Sequence, residues 1–374
     1  MGVKGVVWAR VSSSRYAEPR CWVGRPIGLL LGLAFGAVGC GESPPPSQSF
    51  APAVPPSATT PASVFVGSSQ ESEVSSSSAI AIDPESVPTQ DAAETPNLKA
   101  PDGTLMLACG PAPVGMACIA GGKFLRGSDE GPDNTKPQGS VWLQTFYMDV
   151  NEVTNEQYDR CEAEKSCTKS GPQYLDFDRP KQPINGISWF DAEGYCRAQG
   201  KHLPTEAQWE KAARGTDGRT YPWGEEPATC ERAIIKGKEG RGCGLLKRGS
   251  KPKTGRVWEI GSRPANLYGL HDMAGNSFEW VADWFTRSYE ACGEDCQGVD
   301  PKGPCDGAED CPGYKHKGVR GGSWYWGPDR ATTFFRRAHV PRNRPFHHFG
   351  FRCAADLTDP VLTLPLDERT ETKE

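Results

Sequence analysis

The sequence predicts an α+β domain with much irregular structure, and three observations predict it. Three helices announce themselves by their caps, and strand-like runs beside them are short. The rest is long connecting chain, with 43 Gly, 33 Pro and 11 Trp among 374 residues. Such a composition excludes a helical bundle or coiled coil. A net charge of −5 excludes a general nucleic-acid binder, which is normally basic.

The N-terminus reads as an export signal. Lys4, Arg10, Arg15, Arg20 and Arg25 form a basic leader, and Ile27 to Phe35 an apolar run too short for a spanning helix. It leads into Ala37-Val38-Gly39-Cys40. Small residues before a cysteine resemble a bacterial lipobox, so cleavage is expected before Cys40 and a lipid on it; a plain signal peptide is the alternative. Lipid would anchor the protein without spanning the membrane. Gly41 in the next position leans toward the outer membrane. Without residues 1–39, which hold five basic residues and one acid, the chain carries 37 basic and 46 acidic residues, a net of −9. Fourteen cysteines point to an oxidising compartment. Setting aside Cys21 in the leader and Cys40 leaves twelve, an even number that suits disulfides.

Residues 40–100 are dominated by Pro, Ser, Thr and Ala, with seven acids and one base, Lys99. Such a segment buries too little apolar surface to offset its ordering entropy and reads as a disordered tether. A domain is expected over residues 101–358, and a tail over 359–374. Thr154-Asn155-Glu156-Gln157 reads as a capping box that opens a helix toward Ala163. Ser188 opens a second helix, stopped by Gly200. Thr205-Glu206-Ala207-Gln208 opens a third, stopped by Gly215. Gly121–Ser128 reads as a strand with its turn, and Val319–Trp324 as another.

These segments, with Pro183–Gly215, Tyr221-Pro222-Trp223-Gly224, Leu267–Trp280, Gly321-Gly322-Ser323-Trp324 and Gly350-Phe351-Arg352-Cys353-Ala354, resemble the formylglycine-generating-enzyme, or sulfatase-modifying-factor, family in the same order. The resemblance implies a C-type-lectin-like fold. The founding activity oxidises a sulfatase cysteine to formylglycine with copper and oxygen, and two cysteines after the Gly-Gly-Ser strand bind the copper. Here those positions are Trp326 and Ala331, and no cysteine lies between Cys311 and Cys353. Indole and methyl groups are not ligands for Cu(I). No copper is expected, although Ser323 matches a family active-site serine.

The resemblance also implies a disulfide between Cys196 and Cys353; a second family pair falls on Ala213 and Arg336. By proximity, Cys109 pairs with Cys118, Cys161 with Cys167 and Cys230 with Cys243, with two pairs among Cys292, Cys296, Cys305 and Cys311. A zinc site of those last four is the alternative. A family calcium site maps onto Asp272 and Glu279 by side chain and Gly275 and Ser277 by carbonyl, and hard oxygens suit Ca²⁺. In the family's other calcium site Ile234 replaces an asparagine.

Trp324, Tyr325, Trp326, Phe334, Phe335, Phe346 and Phe349 are either core or the floor of a groove for an extended ligand. Arg330, Arg336, Arg337, Arg342, Arg344 and Arg352 lie in the same stretch and read either as an anion-binding face or as donors to loop carbonyls. Trp324, Trp326, Arg330 and Arg337 are the candidate groove. The expected function is a non-catalytic binding or assembly module of the bacterial envelope, exported and lipid-anchored. Its partner would be an envelope protein or an extended peptide or glycan. An enzyme of the same fold with other oxidative or peptide-modifying chemistry is the alternative.

Overall fold

The computed structural model describes residues 98–172, 174–249, 253–342 and 347–357. The leader, Cys40, most of the tether, the tail, Arg344 and Phe346 lie outside the described residues. Lys99 pairs with Leu105 and Ala100 is buried, so the last residues assigned to the tether already belong to the folded domain.

Among the described residues, four short strands are followed by three principal helices and then by five more strands. β1 (Met116–Ile119), β2 (Gly122–Arg126), β3 (Gly139–Leu143) and β4 (Phe146–Asp149) come first. α1 (Asn155–Ala163), α2 (Trp189–Ala198) and α3 (Glu206–Arg214) follow. β5 (Phe278–Trp284), β6 (Lys317–Arg320), β7 (Arg337–His339), β8 (Phe349–Gly350) and β9 (Ala354–Asp356) complete the domain. The sheets run β1-β4-β9, β2-β3 and β7-β6-β5-β8. Every pairing is antiparallel except β5 with β8.

The helix ends follow local chemistry. Thr154 and Thr205 each accept from the backbone three residues on, and Gln157 and Gln208 reach back, closing both capping boxes. Ser188 caps α2. The expected strand Val319–Trp324 is shifted: β6 starts at Lys317 and stops at Arg320. Gly321 and Gly322 have φ of 88° and 76°, and a Cβ on Gly322 would stand 2.6 Å from the Arg330 carbonyl oxygen. The chain turns there as only glycine readily can, which sends Ser323–Trp326 off the sheet into a loop.

Two apolar clusters carry most of the core. One sets Tyr158, Trp189 and Tyr195 against Trp280, Phe349 and Phe351. The other packs α3, through Trp209 and Ala212, onto Phe124, Val141 and Val281. Each such aromatic or large aliphatic side chain contributes on the order of 1.5–3 kcal/mol. Six disulfides join Cys109–Cys118, Cys161–Cys167, Cys196–Cys353, Cys230–Cys243, Cys292–Cys296 and Cys305–Cys311. The four cysteines of the polar insert are thereby bonded in pairs and offer no thiolates to zinc. Among the described residues no helix is long and apolar enough to cross a membrane.

Candidate functional site

The loop after β6 holds the family's copper positions. Ser323 is buried, and its hydroxyl is 3.4 Å from the Tyr325 amide. Trp324 is 2% exposed, packs with Phe177, Ile234 and Val257, and donates its indole N–H to the His347 carbonyl at 3.0 Å. It is core, not groove floor, which removes it from the candidate groove. Trp326 is half-buried and leans on the cluster of Phe278, Phe335 and Phe349. Ala331 is fully buried in a different cluster, with Tyr221, Ala233 and Ala274. The two copper positions therefore serve separate packing units. All twelve cysteines among the described residues are in disulfides, so a soft Cu(I) ion would find no thiolate here, and copper does not fit.

The arginines divide in a way that adjacency in the sequence hides. Arg336 is fully buried and grips Glu206 with two hydrogen bonds, of 2.7 and 2.6 Å. Arg320 bonds Glu206 at 3.0 Å and Glu210 at 2.7 Å. Arg352 holds Glu279 through bonds of 2.8 and 2.7 Å. Arg336 and Arg352 thus belong to the interior and to no anion-binding face. Arg337, the next residue and the first of β7, is set apart from these carboxylates and lies against aromatic rings. Its guanidinium lies 5.4 Å from the Trp326 ring centre and about as far from Phe278 and Phe349. Arg330 lies 5.5 Å from the same indole and 2.9 Å from the exposed Asp329.

A second source of positive charge was missed in the sequence. Residues 236–256 hold eight Lys/Arg and one acid, Glu239. Hydrogen bonds from Lys236 to the Trp326 carbonyl and from Gly242 to the Trp324 carbonyl fasten this segment beside the loop. The Arg241 guanidinium stacks 3.6 Å over Tyr325. His347 and His348 both lie against the Tyr325 ring. Burial, then Lys247 and Arg241, push His347 down to about 4; burial, then His347 and Arg337, push His348 down to about 3. Both are neutral at pH 7. The basic run was visible as a charge excursion in an acidic chain; its place beside Trp326 was not.

The calcium positions form a tight loop, with Asp272, Gly275 and Asn276 at positive φ. A Cβ on Gly275 would meet the Ile234 carbonyl oxygen at 2.5 Å. Asp272 accepts from the Gly261 amide through Oδ2, while its buried Oδ1 has no hydrogen-bond partner. Glu152, which the sequence did not single out, is buried beside it and takes bonds from Asn276 and the Ser277 amide. Burial first, then Asp272 and Glu279, raise the Glu152 carboxyl well above its usual range; burial also raises Asp272. Glu279 is spoken for by Arg352 and by the Trp209 indole at 2.7 Å, so the expected ligand pair is unequal. Among the described residues no three carboxylates are arranged to share one metal ion, and the side-chain oxygen left uncommitted here is Asp272 Oδ1, a donor of the hard type that Ca²⁺ takes. Asp272 would be the principal side-chain ligand.

With this geometry in place, the class of protein is a disulfide-stapled, loop-rich α+β domain whose glycine turn displays a short functional loop. Comparison with known proteins gives the family. Residues 108–357 match the sulfatase-modifying factor enzyme 1-like domain, and the chain belongs to that family. It is 34% identical over 262 residues to "Serine/threonine-protein kinase pkn1" of Chlamydia caviae, covering 64% of this chain and 37% of that protein. It is 36% identical over 197 residues to the formylglycine-generating enzyme of Thermomonospora curvata, covering 50% and 59%. The chain thus spans well under two thirds of these relatives. The structure of PvdO from Pseudomonas aeruginosa superposes with a TM-score of 0.50 at 22% identity, over 65% of this chain and 94% of that one, a likeness of fold.

Proposed function

We propose that this chain is a non-catalytic member of its family: a binding module held at the bacterial envelope by lipid on Cys40. The observation that carries the reading is the pair Trp326 and Ala331. An indole and a methyl occupy the copper positions, and they pack into different apolar clusters. A protein that keeps the fold and fills the reaction site retains a shaped surface without the redox centre. Ca²⁺ at Asp272 would be structural, neutralising the carboxylates under the Gly275 turn. The partner is an envelope protein or an extended peptide or glycan, met on the face around Trp326.

The test is co-purification of the full-length lipidated protein from native envelopes after mild cross-linking, with Trp326→Ala alongside. A stoichiometric partner that is lost with Trp326→Ala supports the module. Copper binding with oxidation of a cysteine peptide would overturn it.

A further inference from the structure

We infer that the surface around Trp326 accepts an extended acidic peptide segment, its carboxylates meeting Arg337, Arg330 and Arg241 along the Tyr325–Trp326 strip beside β7, the outer strand of its sheet. The inference rests on the binding-module reading and names the chemistry of its partner.

Four observations converge. First, Arg337 is half-buried, yet among the described residues no carboxylate or carbonyl accepts a bond from it, and the charged group nearest in effect is another cation, Arg330. Retaining a partly desolvated guanidinium with no counter-charge is costly unless a ligand supplies one. Arg241 and Lys247 likewise bond no carboxylate among the described residues. Second, the Trp326 indole N–H is buried and has no acceptor among the described residues, a donor left unmet beneath this face. Third, the cations alternate with rings: Arg241 on Tyr325, and Arg330 and Arg337 on Trp326. Such stacking holds the planar forks in place for bidentate carboxylate binding.

Fourth, β7 is an edge strand of the sheet β7-β6-β5-β8, and Arg337 is its first residue. An edge strand offers unpaired backbone groups to an added extended segment. This favours a peptide over a sugar polymer, which has no ladder to extend. A crevice of about 780 Å³ lies between Leu105, Trp189, Asp300 and Asp356, with no residue from Ser323–Ala331 in its wall.

The test is fluorescence anisotropy with the full chain and a labelled octapeptide of alternating Glu and Ser. Binding is expected, weakening at least tenfold when Gln replaces Glu in the peptide and at least tenfold in Arg337→Gln combined with Arg330→Gln. It should also weaken as salt rises from about 50 to 300 mM. Lys302→Gln, on the exposed insert away from this face, should bind as wild type. Thermal unfolding checks that each variant is folded. Equal affinity for the Gln peptide, or indifference to the paired arginine change, overturns the inference. So does binding of dextran sulfate with none of the peptide, which would assign the face to an anionic glycan. If the octapeptide fails while an envelope partner still co-purifies, the acidic-segment inference falls and the module reading stands.

Discussion

Glu206→Gln tests the framework that supports this face. Glu206 sits at the start of α3, 3% exposed, and its carboxylate receives Arg336 through two bonds and Arg320 through one. Arg320 ends β6 just before the Gly321 turn; Arg336 precedes Arg337. One carboxylate therefore ties together the two segments that display Trp326 and Arg337. The amide keeps the shape and removes the charge, leaving the fully buried Arg336 without its carboxylate and Arg320 with Glu210, which Arg214 also holds. Breaking a buried pair of this kind costs about 3–5 kcal/mol, a fall in melting temperature of roughly 6–20 °C for a domain of this size. The pH dependence sharpens the test. Burial would raise the Glu206 carboxyl, but Arg336 and Arg320 outweigh it and hold it at about 2, below the usual 4.5. Its stabilisation is thus present above pH 4.5 and is lost as pH falls toward 2. The gap between wild type and Glu206→Gln should shrink by roughly 2 kcal/mol from pH 5 to pH 3. Urea unfolding at pH 7, 5 and 3 measures it. A variant within 2 °C of wild type at pH 7, or a gap that stays constant to pH 3, would refute the reasoning.

Other expectations follow from neighbouring groups. Saturating Ca²⁺, at about 100 times its dissociation constant, should stabilise the EGTA-treated protein by about 2.7 kcal/mol, and Asp272→Asn should abolish that gain in thermal scans. Replacing Cys196 and Cys353 with serine opens a link across 157 residues and should cost roughly 2–5 kcal/mol in urea unfolding. Asp283 is buried and accepts from the Glu206 amide at 2.7 Å; burial first, then Glu206, raise it to about 7. A raised carboxyl stabilises fully below its unfolded value of 3.8 and loses that contribution as pH rises through 7. Asp283→Asn should therefore remove a slope of up to about 1.4 kcal/mol per pH unit between pH 4 and 7, read from stability-against-pH curves.

What was legible in the sequence was local. A capping box needs only four consecutive residues, so Thr154 and Thr205 marked their helices correctly. Proximity also sufficed for the short disulfide loops, and the family resemblance supplied Cys196–Cys353. What failed depended on partners far along the chain. Arg336 and Arg337 are adjacent and chemically identical, and only the carboxylate 130 residues earlier separates core from surface. Trp324 and Trp326 differ in the same way, one closing over Phe177 and the other left at the rim. Glu152 carries no motif, and its place beside Asp272 exists only once Asn276 and Ser277 fold onto it.

The same division separates the supports of the fold from the two family copper positions. The buried Glu206–Arg336, Glu210–Arg320 and Glu279–Arg352 pairs and the Cys196–Cys353 bridge involve neither residue 326 nor residue 331. Those two positions contribute packing to separate clusters, so each tolerates a residue of the right size without reference to the other. The loop between them then answers to packing and to whatever meets its outer side. On that side lie Trp326, Arg330 and Arg337, in chain segments that adjoin Arg320 and Arg336, the two arginines bonded to Glu206. If the proposed binding module is right, a preorganised surface of this kind would lose little entropy on contact, the physical advantage the scaffold would lend it.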